Sequence, residues 1–303
     1  MDFSPRGIIP PIITPFDGGG RVNEPVLRAL TDHLIGQGVH GLFPMGTTGE
    51  FYAVSDEEYR RVIETVVSQT AGRVPVYAGT SHITTRGTIR LIHLAEQAGA
   101  DAVSVLTPMF ISQTQEELYG FYRTVAESTS LPIILYNNRP KTNVTIEPAT
   151  AARLAEIDNI VGIKDSTGDF TNTEEYLRLT RGCKNFSVLL GRDTLIHAGL
   201  CYGAAGAIAS CANVAPRLAA DIYDKFVAGD LRGSLEAQFR LAPLRIACEM
   251  GTFPEVIKEG LSLQGFEVGN CLEPIAPLSP AQRERLRMIL CEMGLCREGG
   301  LAS

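Results

Sequence analysis

The sequence predicts an α/β fold, a (β/α)₈ (TIM) barrel carrying a C-terminal helical bundle. Three observations point there. Eight short apolar runs, at residues 7–13, 41–44, 74–78, 102–106, 132–136, 160–164, 186–190 and 204–209, recur along the first two thirds of the chain. Each is near-continuous Val/Ile/Leu/Ala rather than alternating, as expected of parallel strands buried on both faces. Helical patterns lie between them, and eight strand–helix alternations favour a closed barrel over an open sheet. Beyond about Pro216 the strands stop and only helical patterns follow.

The elements can be justified in order. Ser55-Asp56-Glu57-Glu58 is a capping box, followed by Tyr59, Val62, Ile63, Val66 and Val67 on one helical stripe. Leu91, Leu94, Ala95 and Ala98 make a second stripe, and Leu118, Phe121, Tyr122 and Val125 a third. Residues 148–157 and 173–180 are further candidate helices. In the eighth run the glycines at 203 and 206 blur the start of the strand. Residues 217–228, 231–250, 254–264 and 281–293 read as the C-terminal helices, the last capped by Ser279 with Gln282 completing a capping box. The expected division is a catalytic barrel over residues 1–225 and a helical domain over 226–303.

Bulk numbers narrow the function. The chain has 303 residues, 45% hydrophobic and 20% charged, with net charge −7. A pI near 5.4 argues against nucleic acid or an anionic membrane as the main partner. If the substrate is an anion, local donors must bind it against the global field. No segment approaches the ~18–20 unbroken apolar residues of a membrane span, and no secretory leader is visible. The seven cysteines (183, 201, 211, 248, 271, 291 and 296) are odd in number and contain no C-x-x-C. They are expected to be reduced thiols in a cytoplasmic protein, with neither a disulfide framework nor zinc sites.

In a barrel of this kind, residues at the C-terminal ends of strands face the active site. The sixth run ends in Gly162-Ile163-Lys164-Asp165-Ser166. A lysine closing an apolar strand either snorkels to the rim or serves chemistry. That chemistry is nucleophilic, because desolvation favours the neutral amine, which attacks a carbonyl and forms a Schiff base. Taken alone, the pattern marks a structural lysine more often than a catalytic one. After the second run, Gly46-Thr47-Thr48-Gly49-Glu50 has the small residues and donors to receive a carboxylate, or it is a plain turn. Glu50 reads as structural. Tyr136, at the end of the fifth run, can pass a proton near a lysine or be a satisfied core phenol. Arg139 and Lys141 follow in its loop and can meet a second carboxylate. Gly191 and the glycine-rich eighth run let backbone approach a small ligand. The five histidines do not collect at strand ends, so a metal-dependent route is set aside.

Together these motifs resemble the dihydrodipicolinate synthase/N-acetylneuraminate lyase family. The resemblance rests on Gly-Thr-Thr-Gly-Glu after the second run, Tyr136-Asn137, Gly162-Ile163-Lys164-Asp165 and Gly206-Ala-Ile-Ala-Ser-Cys-Ala-Asn213-Val214, in register from Gly7 to Ser279. It implies that Lys164 condenses with C2 of pyruvate or another 2-oxo acid, and that Tyr136 is the acid/base. Thr47 and Thr48 would hold the carboxylate, with Thr48 counted in the catalytic set. Gly191 and Ile208 would line the pocket, and Lys141 or Arg139 would take a second anionic group. It implies no cofactor, no metal, and a homotetramer built as a dimer of dimers.

Two positions depart from the synthases of that family. Phe110 stands where they place a tyrosine of a proton relay between subunits, and Lys141 where they place an arginine. On these departures the expected activity is a pyruvate-dependent lyase or aldolase, plausibly for a 2-keto-3-deoxy sugar acid, by aldol cleavage or dehydration. The runner-up is 4-hydroxy-tetrahydrodipicolinate synthase, which condenses pyruvate with aspartate semialdehyde. A non-catalytic 2-oxo-acid-binding protein is the alternative from another class.

Overall fold

The protein is described from a computed structural model covering residues 3–183 and 185–296. Seven strands form one parallel sheet: β1 Gly7–Ile8, β2 Tyr77–Gly79, β3 Ala102–Leu106, β4 Ile133–Asn137, β5 Ile160–Asp165, β6 Ser187–Leu190 and β7 Gly206–Ala207. Their order is β1-β7-β6-β5-β4-β3-β2. The expected second strand, residues 41–44, is not a ladder strand; only Leu42 pairs, with Val76. The reason is local. Pro10, Pro11, Pro44 and Pro75 lie on the segments that would pair here, and each removes a backbone donor. The same prolines shorten the first run to two ladder residues.

The ring nevertheless closes. Phe43 N donates to Pro10 O at 3.0 Å and Ile12 N to Phe43 O at 3.1 Å. On the other side Leu42 N donates to Pro75 O at 3.0 Å and Tyr77 N to Leu42 O at 2.8 Å. Inside the ring, Ile9, Phe43, Tyr77, Ala102, Ile134, Val161, Leu189 and Ile208 form an apolar cluster of their own. Each of the eight runs supplies one member, so the lumen is a packed plug rather than a pore. A larger core lies between the sheet and the surrounding helices, and it extends into the C-terminal helices through Leu241, Leu244, Ile257, Leu261 and Leu286.

Both capping boxes read from the sequence are formed, at Ser55/Glu58 and Ser279/Gln282. The C-terminal helices span Pro216–Val227, Leu231–Ala247, Glu255–Leu263 and Pro280–Glu292. The second of these docks on the barrel mouth through buried Gln238, whose amide donates to Asp193 O at 2.8 Å and accepts from His197 N at 3.0 Å.

A second tie reaches the loop of residues 46–50. Glu50 is completely buried, and its Oε1 lies 2.6 Å from Lys258 Nζ. Leu272 N donates to Glu50 Oε2 at 2.8 Å, and Lys258 also donates to Asn270 O at 3.0 Å. Glu50 is therefore the structural residue that the sequence suggests.

The cysteines need a correction. Cys291 and Cys296 are joined in a disulfide, while the other five are free. Gly294, with φ +73°, turns the chain back at the end of the last helix and brings the two Cα atoms within 4.7 Å. A C-x₄-C spacing across a helix end allows this closure, and parity and scatter gave no hint of it.

Candidate active site

Lys164 owes its orientation to an irregularity in β5. The pairing with β4 runs Ile133↔Ile160 and then Ile134↔Gly162, so β5 carries one extra residue. Val161 faces the lumen and Ile163 the outer core. Strict alternation would have put both on one face. The bulge resets the parity and turns Lys164 inward. A glycine is needed there, because a Cβ on residue 162 would sit 2.5 Å from Ser187 O. Asp165 consequently points outward. Its carboxylate accepts from Asn137, the Thr167 amide and hydroxyl, Asn172 and Thr173.

Lys164 is 4% exposed and forms no salt bridge with a described residue. Its register partner on β4 is Tyr136. The amine lies 4.1 Å from the Tyr136 ring centroid and 5.2 Å from that of Phe43. Tyr136 Oη in turn lies 3.3 Å from Thr47 Oγ1 and accepts from Asn138 Nδ2 at 3.0 Å. Burial pushes this phenol up; the Lys164 charge and hydrogen bonds from Thr47, Ser166 and Lys164 outweigh it and hold the phenol below its ordinary range. A phenol so placed exchanges protons more readily with groups bound at the amine.

The loop of residues 46–50 presents unused donors. Neither the Thr47 nor the Thr48 N–H donates to a described residue, and the Thr48 hydroxyl is likewise without a partner among them. Met45 and Glu50, with φ +58° and +57°, set the turn, and Thr14 Oγ1 donates to Gly49 O at 2.7 Å. The set suits a carboxylate.

A cavity of about 370 Å³ gathers Lys164, Tyr136, Thr47, Thr48, Gly191, Ile208 and Lys141. Arg139 is not among its lining residues. It borders a neighbouring groove with Asn143, Thr145 and Asn172. Gly191 lines the cavity for a reason the sequence did not disclose: a Cβ there would meet Ser166 Oγ at 2.0 Å. Phe110 lines no part of it. It stands 89% exposed beyond β3 at φ +80°. A larger groove of about 640 Å³, at the N-terminal ends of β6 and β7, contains none of these groups, so size does not identify the site.

Sequence reasoning missed Asn138, Ser166, Asp193 and Arg245 as neighbours of this chemistry. Ser166 and Asn138 sit two residues beyond Lys164 and Tyr136, which was the available signal. Arg245 comes from a C-terminal helix and had none. Among the described residues no group of three or more His, Cys, Asp or Glu side chains could hold a metal ion.

With this geometry in place, comparison with known proteins identifies the family. The model of the dihydrodipicolinate synthetase family matches residues 4–293. The chain belongs to that family. With it, the chain is a lyase of the lysine Schiff-base, class I aldolase type. It is 39% identical over 288 residues to a 4-hydroxy-tetrahydrodipicolinate synthase of Methanothrix thermoacetophila, covering 95% of this chain and 97% of the other. It is 40% identical over 290 residues to the Rhodospirillum centenum protein of the same name, covering 96% and 99%. Among solved structures, a monomeric dihydrodipicolinate synthase variant superposes with TM-score 0.93 at 34% identity, over 96% of this chain and 97% of that one. A second is YagE, a family member from E. coli K12 in complex with pyruvate, with TM-score 0.93 at 32% identity, over 96% and 99%. No helix among the described residues is long and apolar enough to cross a membrane.

Proposed function

We propose that this family member joins pyruvate to an aldehyde through an imine on Lys164, with aspartate semialdehyde the first candidate. The Lys164 amine attacks C2 of pyruvate, water departs, and an iminium remains. Loss of a proton from C3 gives an enamine, and its C3 attacks the aldehyde carbon as the aldehyde oxygen takes up a proton; water then adds to C2 of the re-formed iminium, the C–N bond breaks, and the 2-oxo product leaves with the Lys164 amine restored. Tyr136 carries these protons, with Thr47 as its hydroxyl neighbour. The Thr47 and Thr48 amides and the Thr48 hydroxyl receive the pyruvate carboxylate. Lys141 stands at the mouth as a cation for the second substrate, and Arg139, outside the cavity, drops behind it. A homotetramer belongs to the same reading.

The observation that carries the reading is the register pairing of Lys164 with Tyr136 inside an apolar lumen, with no carboxylate among the described residues neutralising the amine. The choice of aldehyde reverses the order expected from the sequence, because the curated relatives cited above are named synthases. A sugar-acid lyase remains as second reading on two observations: Phe110 has no hydroxyl to offer any proton relay, and Ser210 and Asp193 add polar groups to the cavity wall.

The test is borohydride reduction in the presence of pyruvate, followed by peptide mass mapping and a panel of aldehydes and 2-keto-3-deoxy acids. A pyruvate adduct on the Lys164 peptide with turnover of aspartate semialdehyde supports the lead. Cleavage of a 2-keto-3-deoxy acid in its place supports the second. An adduct without any turnover would point to a 2-oxo-acid-binding protein. An adduct on another lysine removes the mechanism.

A further inference from the structure

One wall of the Lys164 cavity comes from outside the barrel. Arg245, on the helix Leu231–Ala247, lines it together with Cys248 and Glu249 just beyond the helix end. The Arg245 side chain is only 16% exposed, yet none of its five N–H donors makes a hydrogen bond to a described residue. Its nearest carboxylate is Asp193, with Nε 3.6 Å from Oδ2, beyond hydrogen-bond length. Asp193 is already served, Oδ1 by Cys211 N at 2.8 Å and Oδ2 by the Ser210 hydroxyl at 3.2 Å. A mostly buried guanidinium that is ion-paired with Asp193 but makes no hydrogen bond to a described residue, and that faces a cavity containing a nucleophilic amine, has donors left for an anionic ligand.

Charge agrees. The cavity is lined by four basic side chains, Lys141, Lys164, Arg192 and Arg245, against two carboxylates, Asp193 and Glu249. Arg192 is engaged by Glu249 at 3.4 Å. In a chain of net charge −7 this local excess suits a ligand that carries more than one negative charge.

We infer that Arg245 receives a second carboxylate, so that the substrate or product held on Lys164 is a 2-oxo diacid rather than a 2-oxo acid with a neutral tail. The inference deepens the function proposed above and rests on it. A carboxylate entering the cavity would accept two parallel N–H bonds from the fork, whereas exposed Lys141 offers a single point charge. Imine chemistry at C2 and anion recognition at the far end would then be divided between the barrel and the C-terminal domain.

The test needs no turnover. Oxaloacetate, 2-oxoglutarate and 2-oxoadipate, each paired with a neutral-tailed 2-oxo acid of equal carbon count, are fixed to Lys164 with borohydride. The concentration giving half-maximal labelling of the Lys164 peptide is measured for each. At least one diacid should label at a concentration well below its neutral counterpart. In Arg245→Ala that preference should fall about 10–100-fold, the range of a hydrogen bond to a charged group. Arg245→Lys, which keeps a cation beside Asp193, controls for misfolding and should fall in between. The inference is overturned if no diacid is preferred in the wild type. It is equally overturned if Arg245→Lys and Arg245→Ala keep the full preference, or if Lys141→Ala abolishes it and they do not. Failure of every 2-oxo acid, neutral or not, to label Lys164 defeats the Schiff-base reading itself.

Discussion

Replacing Lys258 by Met tests the tie between the C-terminal helices and the loop of residues 46–50. In the native chain the Lys258 ammonium lies 2.6 Å from Glu50 Oε1, with the two side chains 1% and 0% exposed. It also sits 4.2 Å from the Phe16 ring centroid. Methionine fills nearly the same volume, so little of the cost is cavity. What remains is a Glu50 carboxylate buried without a cation, and removing one partner of such a pair costs about 3–5 kcal/mol. Thermal and urea unfolding, run at fixed protein concentration, should show a loss of that order. Glu50 closes the loop bearing Thr47 and Thr48, so the pyruvate concentration needed for half-maximal borohydride trapping should rise as well. The double variant Glu50→Gln/Lys258→Met removes the stranded charge, leaves an acceptor for Leu272 N, and should recover most of the stability. Two results would refute this account: a single variant within 1 kcal/mol of wild type, or a double variant no more stable than the single.

Lys164→Ala should abolish pyruvate trapping while the unfolding midpoint stays close to that of the wild type; trapping that survives would move the nucleophile elsewhere. Tyr136→Phe should slow turnover by about 10²–10⁴, the range of general acid–base catalysis, with imine formation slowed alongside it. Thr47→Val keeps the backbone donor and the side-chain shape but removes the hydroxyl that helps hold the Tyr136 phenol low. Losing a group that favours the phenolate moves the ionisation upward, so the Tyr136-governed limb of the pH–rate profile should shift to higher pH; a shift to lower pH would contradict the assignment. Gly162→Ala places a Cβ 2.5 Å from Ser187 O, so it should disturb the β5 bulge and lower both stability and trapping.

Much of the barrel was legible because parallel strands buried on both faces have a compositional signature that needs no partner information. The helix starts at Ser55 and Ser279 were legible because a capping box is a local hydrogen-bond pattern. What escaped was non-local. The prolines at 10, 11, 44 and 75 are plain in the sequence, but only the pairing of their segments converts four missing donors into a lost strand. The turn at Gly294 that joins Cys291 to Cys296 depends on a single left-handed residue. Lys164, Tyr136, Thr47 and Thr48 converge as their positions at strand ends suggested. Lys141 and Arg139, only two residues apart in the sequence, both border the neighbouring groove, but only Lys141 also reaches the Lys164 cavity. Arg245 is more than eighty positions from Lys164 and enters from a C-terminal helix, a juxtaposition that no local pattern encodes.

The residue beside Lys164 explains why the bulge matters to the proposed chemistry as well as to packing. Lys164 and Asp165 are adjacent and of opposite charge, and alternation sends one inward and the other outward. Had β5 kept regular register with β4, Asp165 would have entered the lumen with Val161 and Ile163, and the amine would have left it. The outer site is built to hold that carboxylate, with five donors from Asn137, Thr167, Asn172 and Thr173. Those donors meet the desolvation cost of a group only 1% exposed without borrowing the neighbouring lysine. The amine therefore faces the apolar lumen with the Tyr136 and Phe43 rings about it and, among the described residues, no acid to pair with. That is the condition under which a lysine serves as a carbonyl nucleophile rather than as half of a salt bridge.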